Sequence, residues 1–382
     1  MRDAVVFVAE PLLGAAFTQT RVVVPLAGAL SDAFDVTVAA PAIGPEVVRA
    51  LAERNVHALS GGAWFPTPRH DRDEVASFTL SWIRDAFLGL NGARTERLLH
   101  GTGQFRVNFS MTNRVRSDIW YVQSRPLAQS LTSMVPNFSS PLREVGALAI
   151  PPVRLLDRHQ RALTGRGAGR LLASCEYIAD LYRDEGLSVA GVVPMCLFSS
   201  DFAPTTASPR RDYIATYLGK ETDLAGIEAV ASLGFPVKAF GGKSAALVER
   251  GLTKDRFPDL EVLGAISHAE LLELYTHALF TAFPFTDESF GLVPIESMAC
   301  GTPVLTYGSQ GPAESVVDGA TGWFEPDAAA LGRRAAVLVR DGVPASWRDR
   351  CIARATRYRP DEVAGAWRSI LRAGLDARAA RA

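Results

Sequence analysis

Short apolar runs alternate with stretches whose apolar positions recur at helical spacing along nearly the whole chain. This is the βαβ pattern of parallel sheets covered by helices on both faces. Candidate strands fall at 4–9, 35–40, 118–123, 145–150, 170–175 and 189–195, then at 213–219, 236–242, 260–266, 279–285, 303–308 and 321–326. The pattern predicts an α/β protein of two doubly wound, Rossmann-like units, 1–198 and 213–358. Residues 199–212, SSDFAPTTASPRRD, are rich in Pro, Ser and Thr without periodicity and read as the linker. A cleft between two such units is the natural place for a ligand.

Residues 54–116 are less regular. They hold GGAWFPTPRHDRDE and a candidate helix, SFTLSWIRDAFLGL, and read as an insertion shaping one wall of the cleft. Helix signals are clearer later on. Ser267 with Glu270 makes a capping box, Gly301 follows PIESMAC as a helix stop, and 327–342 and 360–375 have helical spacing. The Ala/Arg-rich tail RAGLDARAARA is expected to fray.

Composition removes several function classes. The chain has 382 residues, 48% of them hydrophobic and 21% charged, enough apolar material for two cores. A net charge of -1 supplies no global field for a polyanion, so nucleic acid is not an expected partner. Cys175, Cys196, Cys300 and Cys351 are far apart, as expected of reduced thiols in a cytoplasmic protein. The first residues, MRDAVVFVAEPLLG, are interrupted by Glu10 and read as a buried strand, not a signal peptide. No apolar stretch is long enough to span a membrane. The histidines lack metal-binding spacing and the Asp71-Arg72-Asp73 triplet follows no apolar strand, so no metal site is expected. Arg154, Arg158, Arg161, Arg166 and Arg170 form a basic run. It is either a solvated helix face or a peripheral contact with anionic lipid on the inner membrane face.

The chemistry concentrates in 283–324, FPFTDESFGLVPIESMACGTPVLTYGSQGPAESVVDGATGWF. An apolar strand ends at Phe285, Glu288 follows in a loop, and Ser289-Phe290-Gly291 leads into a helix expected to start near Pro294, with Glu296 in its first turn. A helix N-terminus preceded by Gly presents amides to a phosphate. Two flanking carboxylates suit a ligand that has hydroxyls beside that phosphate, because ionised carboxylates only accept hydrogen bonds. Of the 40 Lys and Arg residues only Lys220, Lys238, Lys243 and Lys254 are Lys, all within one short stretch. A compact, flexible ammonium is something Arg cannot imitate, so the cluster is either chance in an Arg-biased chain or a place where Lys is wanted.

ESFGLVPIESMACGTPV resembles the glycosyltransferase family 4 signature, two Glu separated by seven residues around an FG turn, and AESVVDGATGWF looks like that family's closing motif. The resemblance implies a GT-B fold, two Rossmann-like domains facing each other across a cleft, with 359–382 crossing back to the first domain. It also implies metal-independent, retaining transfer of a hexose-type sugar from a nucleoside diphosphate to a hydroxyl acceptor, lipid-linked or otherwise, with no further cofactor. Glu288 would contact sugar hydroxyls and Glu296 the ribose. The backbone around Ser289, Phe290, Gly291 and Leu292 would meet sugar and diphosphate. Lys220 stands where the family has the Arg of its diphosphate clamp, and Ala225 where it has Lys, which leaves Lys243 as substitute. In the first domain only Gly14 follows the first strand, and Gln123 lies near the family's His; both are acceptor-side candidates. The altered clamp keeps two alternatives open, a degenerate nucleotide-sugar-binding protein and a nucleotide-sugar epimerase.

Overall fold

The computed structural model describes residues 2–10, 12–13, 18–61, 90–135, 142–219, 221–242 and 251–381. The chain divides into two compact units, Met1–Phe198 with Pro360–Ala382, and Ser199–Arg359. In the first, chain order is β1 (Ala4–Val8), β2 (Leu12–Leu13), α1 (Thr18–Leu30), β3 (Asp35–Ala40), β4 (Ala42–Ile43), α2 (Pro45–Ala52), β5 (His57–Ser60), α3 (Leu90–Leu98), β6 (Phe105–Asn108), β7 (Ser117–Val122), α4 (Leu127–Met134), α5 (Leu142–Arg166), β8 (Ala168–Ala173), α6 (Glu176–Arg183) and β9 (Val189–Val192). Its main sheet runs β5-β3-β1-β6-β7-β8-β9, with every pairing parallel. Val5, Val6, Phe7 and Val8 of β1 are all buried, as expected of a strand covered on both faces.

The second unit contains β10 (Ile214–Tyr217), α7 (Leu224–Ala231), β11 (Val237–Phe240), β12 (Leu260–Gly264), α8 (His268–His277), β13 (Thr281–Phe283), α9 (Leu292–Ala299), β14 (Val304–Tyr307), α10 (Pro312–Ser315), β15 (Gly322–Glu325), α11 (Ala328–Asp341) and α12 (Trp347–Thr356). Its parallel sheet runs β12-β11-β10-β13-β14-β15. The order reverses between β10 and β13, the switch point at which open α/β sheets leave a crevice beyond their strand ends. The capping box is present at the start of α8, where Ser267 Oγ accepts the Glu270 amide and the Glu270 carboxylate accepts the Ser267 amide.

The chain's last helix, α13 (Pro360–Ala379), packs in the first unit. Trp367 is fully buried there, with ring centroids 5.1 Å from Tyr121, 5.6 Å from Phe109 and 6.3 Å from Phe7. Arg368 donates to Ala29 O, and Gly374 passes so close to Phe105 that a Cβ would stand 2.5 Å from its ring.

Four expectations are corrected. Residues 145–150 are part of α5 and not a strand. Val153, Asp157, Gln160, Arg161 and Thr164 are buried at spacings of three and four, so the segment is set by one buried helical face and not by its apolar run. Residues 54–116 are not simply an insertion, because β6 lies between β1 and β7 inside the sheet. The tail stays helical to Ala379, where Arg378 donates to Gln104 O and pairs with Asp118. Arg161 leaves the basic run, being buried and paired with Asp157 and Glu185. The candidate helix at 77–90 and the Asp71–Asp73 triplet lie outside the described residues, apart from Leu90 at the start of α3.

Trp367→Ala is expected to lower unfolding stability by about 3–5 kcal/mol, the usual cost of emptying a large aromatic site. Urea denaturation followed by far-UV circular dichroism measures it, and a loss below about 1 kcal/mol would show that α13 is dispensable to this core.

Candidate active site

The loops after β10, β13 and β14 meet at the C-terminal ends of the second unit's central strands. The first two are joined by backbone bonds: the Thr286 amide donates to Glu221 O at 2.7 Å and the Asp223 amide to Pro284 O at 3.2 Å. Asp223 also caps α7 by accepting the Ala225 amide, and its other oxygen accepts the Tyr307 hydroxyl at 2.5 Å. Burial and the neighbouring Asp223 raise the Tyr307 phenol well above its ordinary value, so it stays a proton donor.

The third loop seats the signature. Gln310, at φ 56°, accepts the Glu288 amide through Oε1 at 2.7 Å. Gly311 lies against the same backbone, so that a Cβ there would stand 2.4 Å from both Phe290 Cα and Ser289 O. Gly291 has φ 87°, a left-handed conformation that glycine adopts without strain, and it begins α9. Phe290 is buried and meets the Tyr358 ring edge-on at 5.9 Å.

Glu288 Oε1 accepts the amides of Phe290 and Gly291, both at 3.0 Å. Two of the backbone groups expected to meet the ligand therefore already have an acceptor within the chain. The helix also starts earlier than expected, at Leu292 instead of near Pro294. Leu292 and Val293 are thus its first two residues, whose amides have no intrahelical acceptor, while Pro294 contributes no amide. Glu296 consequently sits in the second turn, not the first. It is 5% exposed, and Oε2 accepts the Tyr275 hydroxyl of α8 at 3.0 Å. Burial first, then Glu296, pushes the Tyr275 phenol well above its ordinary value, so it too donates.

Of the remaining candidates, Lys220, Lys243 and Gly14 lie outside the described residues. Lys238 is engaged elsewhere, 3.9 Å from Glu261 and above the Tyr213 ring. Ala225 is at the start of α7 with its amide on Asp223, so this helix end is capped by a carboxylate. Gln123, at the end of β7, is 7% exposed and its Nε2 has no hydrogen-bond partner. Sequence reasoning missed Gln310, Tyr275 and Glu10. Glu10, just beyond β1, accepts the Met111 amide and the Ser110 hydroxyl, each at 2.7 Å, and the Thr112 hydroxyl at 2.5 Å. Desolvation by burial raises its carboxyl above the usual range despite these donors. An acid directly after an apolar strand was the visible signal for Glu10; Gln310 and Tyr275 offered none.

Comparison with known proteins gives this geometry a context. Residues 252–358 match the family of glycosyl transferases group 1. A 69-residue segment is 42% identical to an alpha-1,3/1,6-mannosyltransferase alg-2 of Neurospora crassa, covering 18% of this chain and 15% of that one. A 111-residue segment is 39% identical to a D-inositol 3-phosphate glycosyltransferase of Streptosporangium roseum, covering 29% and 21%. The chain therefore spans well under a third of those relatives' length. Over nearly its whole length it superimposes on the sucrose-phosphate synthase of Thermosynechococcus elongatus, with TM-score 0.67, 17% identity, and 98% and 100% coverage. The fold is GT-B. Anabaena Alr3699/HepE, solved with UDP and glucose, shares it at TM-score 0.64, 14% identity, and 96% and 99% coverage. The matched stretch 252–358 includes all of α9 and the Gln310 loop.

Gly311→Ala is expected to force the Ser289–Phe290 backbone away from the Gln310 loop, at about 1–3 kcal/mol for an overpacked contact. Because φ at 311 is an ordinary -56°, any loss is steric and not conformational. Urea unfolding checks it, and parental stability would mean the two loops separate without cost.

Proposed function

We propose that the protein is a retaining, metal-independent glycosyltransferase of the family 4 type, moving a hexose-type sugar from a nucleoside diphosphate to a hydroxyl acceptor. The observation that carries this reading is the Glu288-to-Glu296 segment at the β10/β13 switch point, held by Gln310 and Gly311. The diphosphate would meet the Leu292 and Val293 amides at the positive end of α9, with Lys220 and Lys243 as its cations. Glu288, fixed by two amides, is an acceptor for sugar hydroxyls. Glu296, oriented by Tyr275, would hold the ribose. Gly14 and Gln123 remain the acceptor-side candidates, and an orphaned Gln123 amide fits a hydroxyl acceptor.

In the reaction the bond between the anomeric carbon and the diphosphate oxygen breaks, and the acceptor oxygen bonds to that carbon on the same face. The acceptor proton passes to the departing diphosphate oxygen. The growing negative charge on that oxygen is what fixed amides and ammonium groups stabilise more in the transition state than before it. A second reading, a nucleotide-sugar-binding protein without turnover, is favoured by Ala225, which leaves a carboxylate-capped helix where a second cation would stand. Slow donor hydrolysis without acceptor would exclude it.

Two substitutions separate the roles. Glu288→Gln keeps an oxygen for the Phe290 and Gly291 amides, so it should spare UDP binding while cutting turnover. Glu296→Gln should weaken UDP and UDP-sugar alike, by up to about 1.5–3 kcal/mol for a lost charged hydrogen bond. Calorimetric titration with UDP and a panel of UDP-sugars, beside a product assay, reads both effects. If both variants bind and turn over like the parent and only unfold earlier, the two glutamates serve the helix and not a ligand.

A further inference from the structure

A recess of about 540 Å³, within the size range of small-molecule sites, lies in the first unit between α3 and the end of α5. Arg116 and Gly167, the residues just before β7 and β8, both line it, so it opens where those two strands begin. β7 is six residues long, which puts Gln123, beyond its other end, about 20 Å away.

The backbone along one wall is anchored at several points. The Asn113 side-chain amide donates to Thr95 Oγ1 at 3.0 Å, a Cβ on Gly92 of α3 would stand 2.3 Å from Arg114 O, and Glu96 Oε1 accepts the Arg116 amide. Asn113, Val115 and Ser117 are buried, and Arg114 and Arg116 alternate with them toward the other side. Residues two apart on such a stretch stand about 7 Å from each other, close enough for both to meet one ionic group.

The carboxylate in the lining is already engaged, because the second oxygen of Glu96 accepts Arg106 at 2.8 Å. Arg114 and Arg116, by contrast, make no side-chain hydrogen bond, ion pair or ring contact among the described residues. Arg114 is also half-buried, and a charge withdrawn from water is costly unless it is paired. Two guanidinium forks on a fixed backbone, both without acceptors, call for a dianion with several oxygens. A phosphate monoester supplies about two negative charges and three acceptor oxygens. Thr164 Oγ1, which donates to Gln160 O at 3.0 Å, and the Glu96 carboxylate keep lone pairs for hydroxyl donors.

We propose that this recess binds the phosphate monoester of a small polyhydroxylated molecule, its phosphate on Arg114 and Arg116 and its hydroxyls on Glu96 and Thr164. Calorimetric titration of the full chain tests this with ribose 5-phosphate, methyl phosphate and succinate as probes. Ribose 5-phosphate should bind tightest. Arg114→Gln with Arg116→Gln should weaken it about tenfold or more, without lowering the thermal midpoint, because neither side chain has a partner to lose. Arg333→Gln with Arg350→Gln removes the same charge from exposed positions of the second unit and should leave binding unchanged. No binding by the parent, undiminished binding by the Arg114 and Arg116 variant, or a preference for succinate overturns the proposal. So does equal affinity for methyl phosphate, which offers Glu96 and Thr164 no hydroxyl. Phosphate held at the start of α9 instead would be indifferent to both arginines, so the outcome is separate from that of the transfer reaction.

Discussion

Gly311 carries no Cβ, and the backbone of Ser289 and Phe290 lies where one would stand. That contact brings Gln310 onto the Glu288 amide, and Glu288 in turn collects the amides of Phe290 and Gly291. The outcome is a helix whose first residues, Leu292 and Val293, are presented at the end of β13 in a fixed direction. Each link is short-ranged, so the geometry depends on close packing of two loops more than on the helix dipole. The dipole makes the place attractive to an anion; the glycine contact determines where it is.

Much of this was legible in the residues. The second unit's strands were visible because parallel strands covered on both faces are continuous apolar runs, as in LFTAFPF and PVLTYG. In the first unit the same rule failed at both extremes. FRVN of β6 is too short and mixed to stand out, although it sits between β1 and β7. VGALAI looks like a strand because an apolar run cannot reveal that Val145, Ala147 and Leu148 stand exposed on a helix. Within the site, the two glutamates and the glycine turn are local in sequence and were readable. Tyr275 and Gln310 act on residues 21 and 22 positions away, a relation the fold creates and local spacing does not express.

The two units build their cores in related ways. The second gathers aliphatic residues in one cluster, Ile214, Val237, Leu305 and Leu331 among them, and joins Tyr217, Phe240, Phe283 and Tyr275 in a chain of ring contacts. The first places a cluster of aromatic rings, Phe7, Phe109, Tyr121 and Trp367, at the centre of one sheet face. Rings meeting at an angle combine large buried area with specific geometry, and the last helix supplies the indole that touches the other three.

That closing helix comes from the far end of the chain, and this orders events in time. A growing polypeptide synthesised as far as Arg359 already holds every residue of the second unit. Its first unit, although made earlier, still exposes Phe7, Phe109 and Tyr121 to water, because Trp367 has not yet been added. The half of the protein translated first is therefore the half completed last, and for that interval its open aromatic face is the surface on which a chaperone would act.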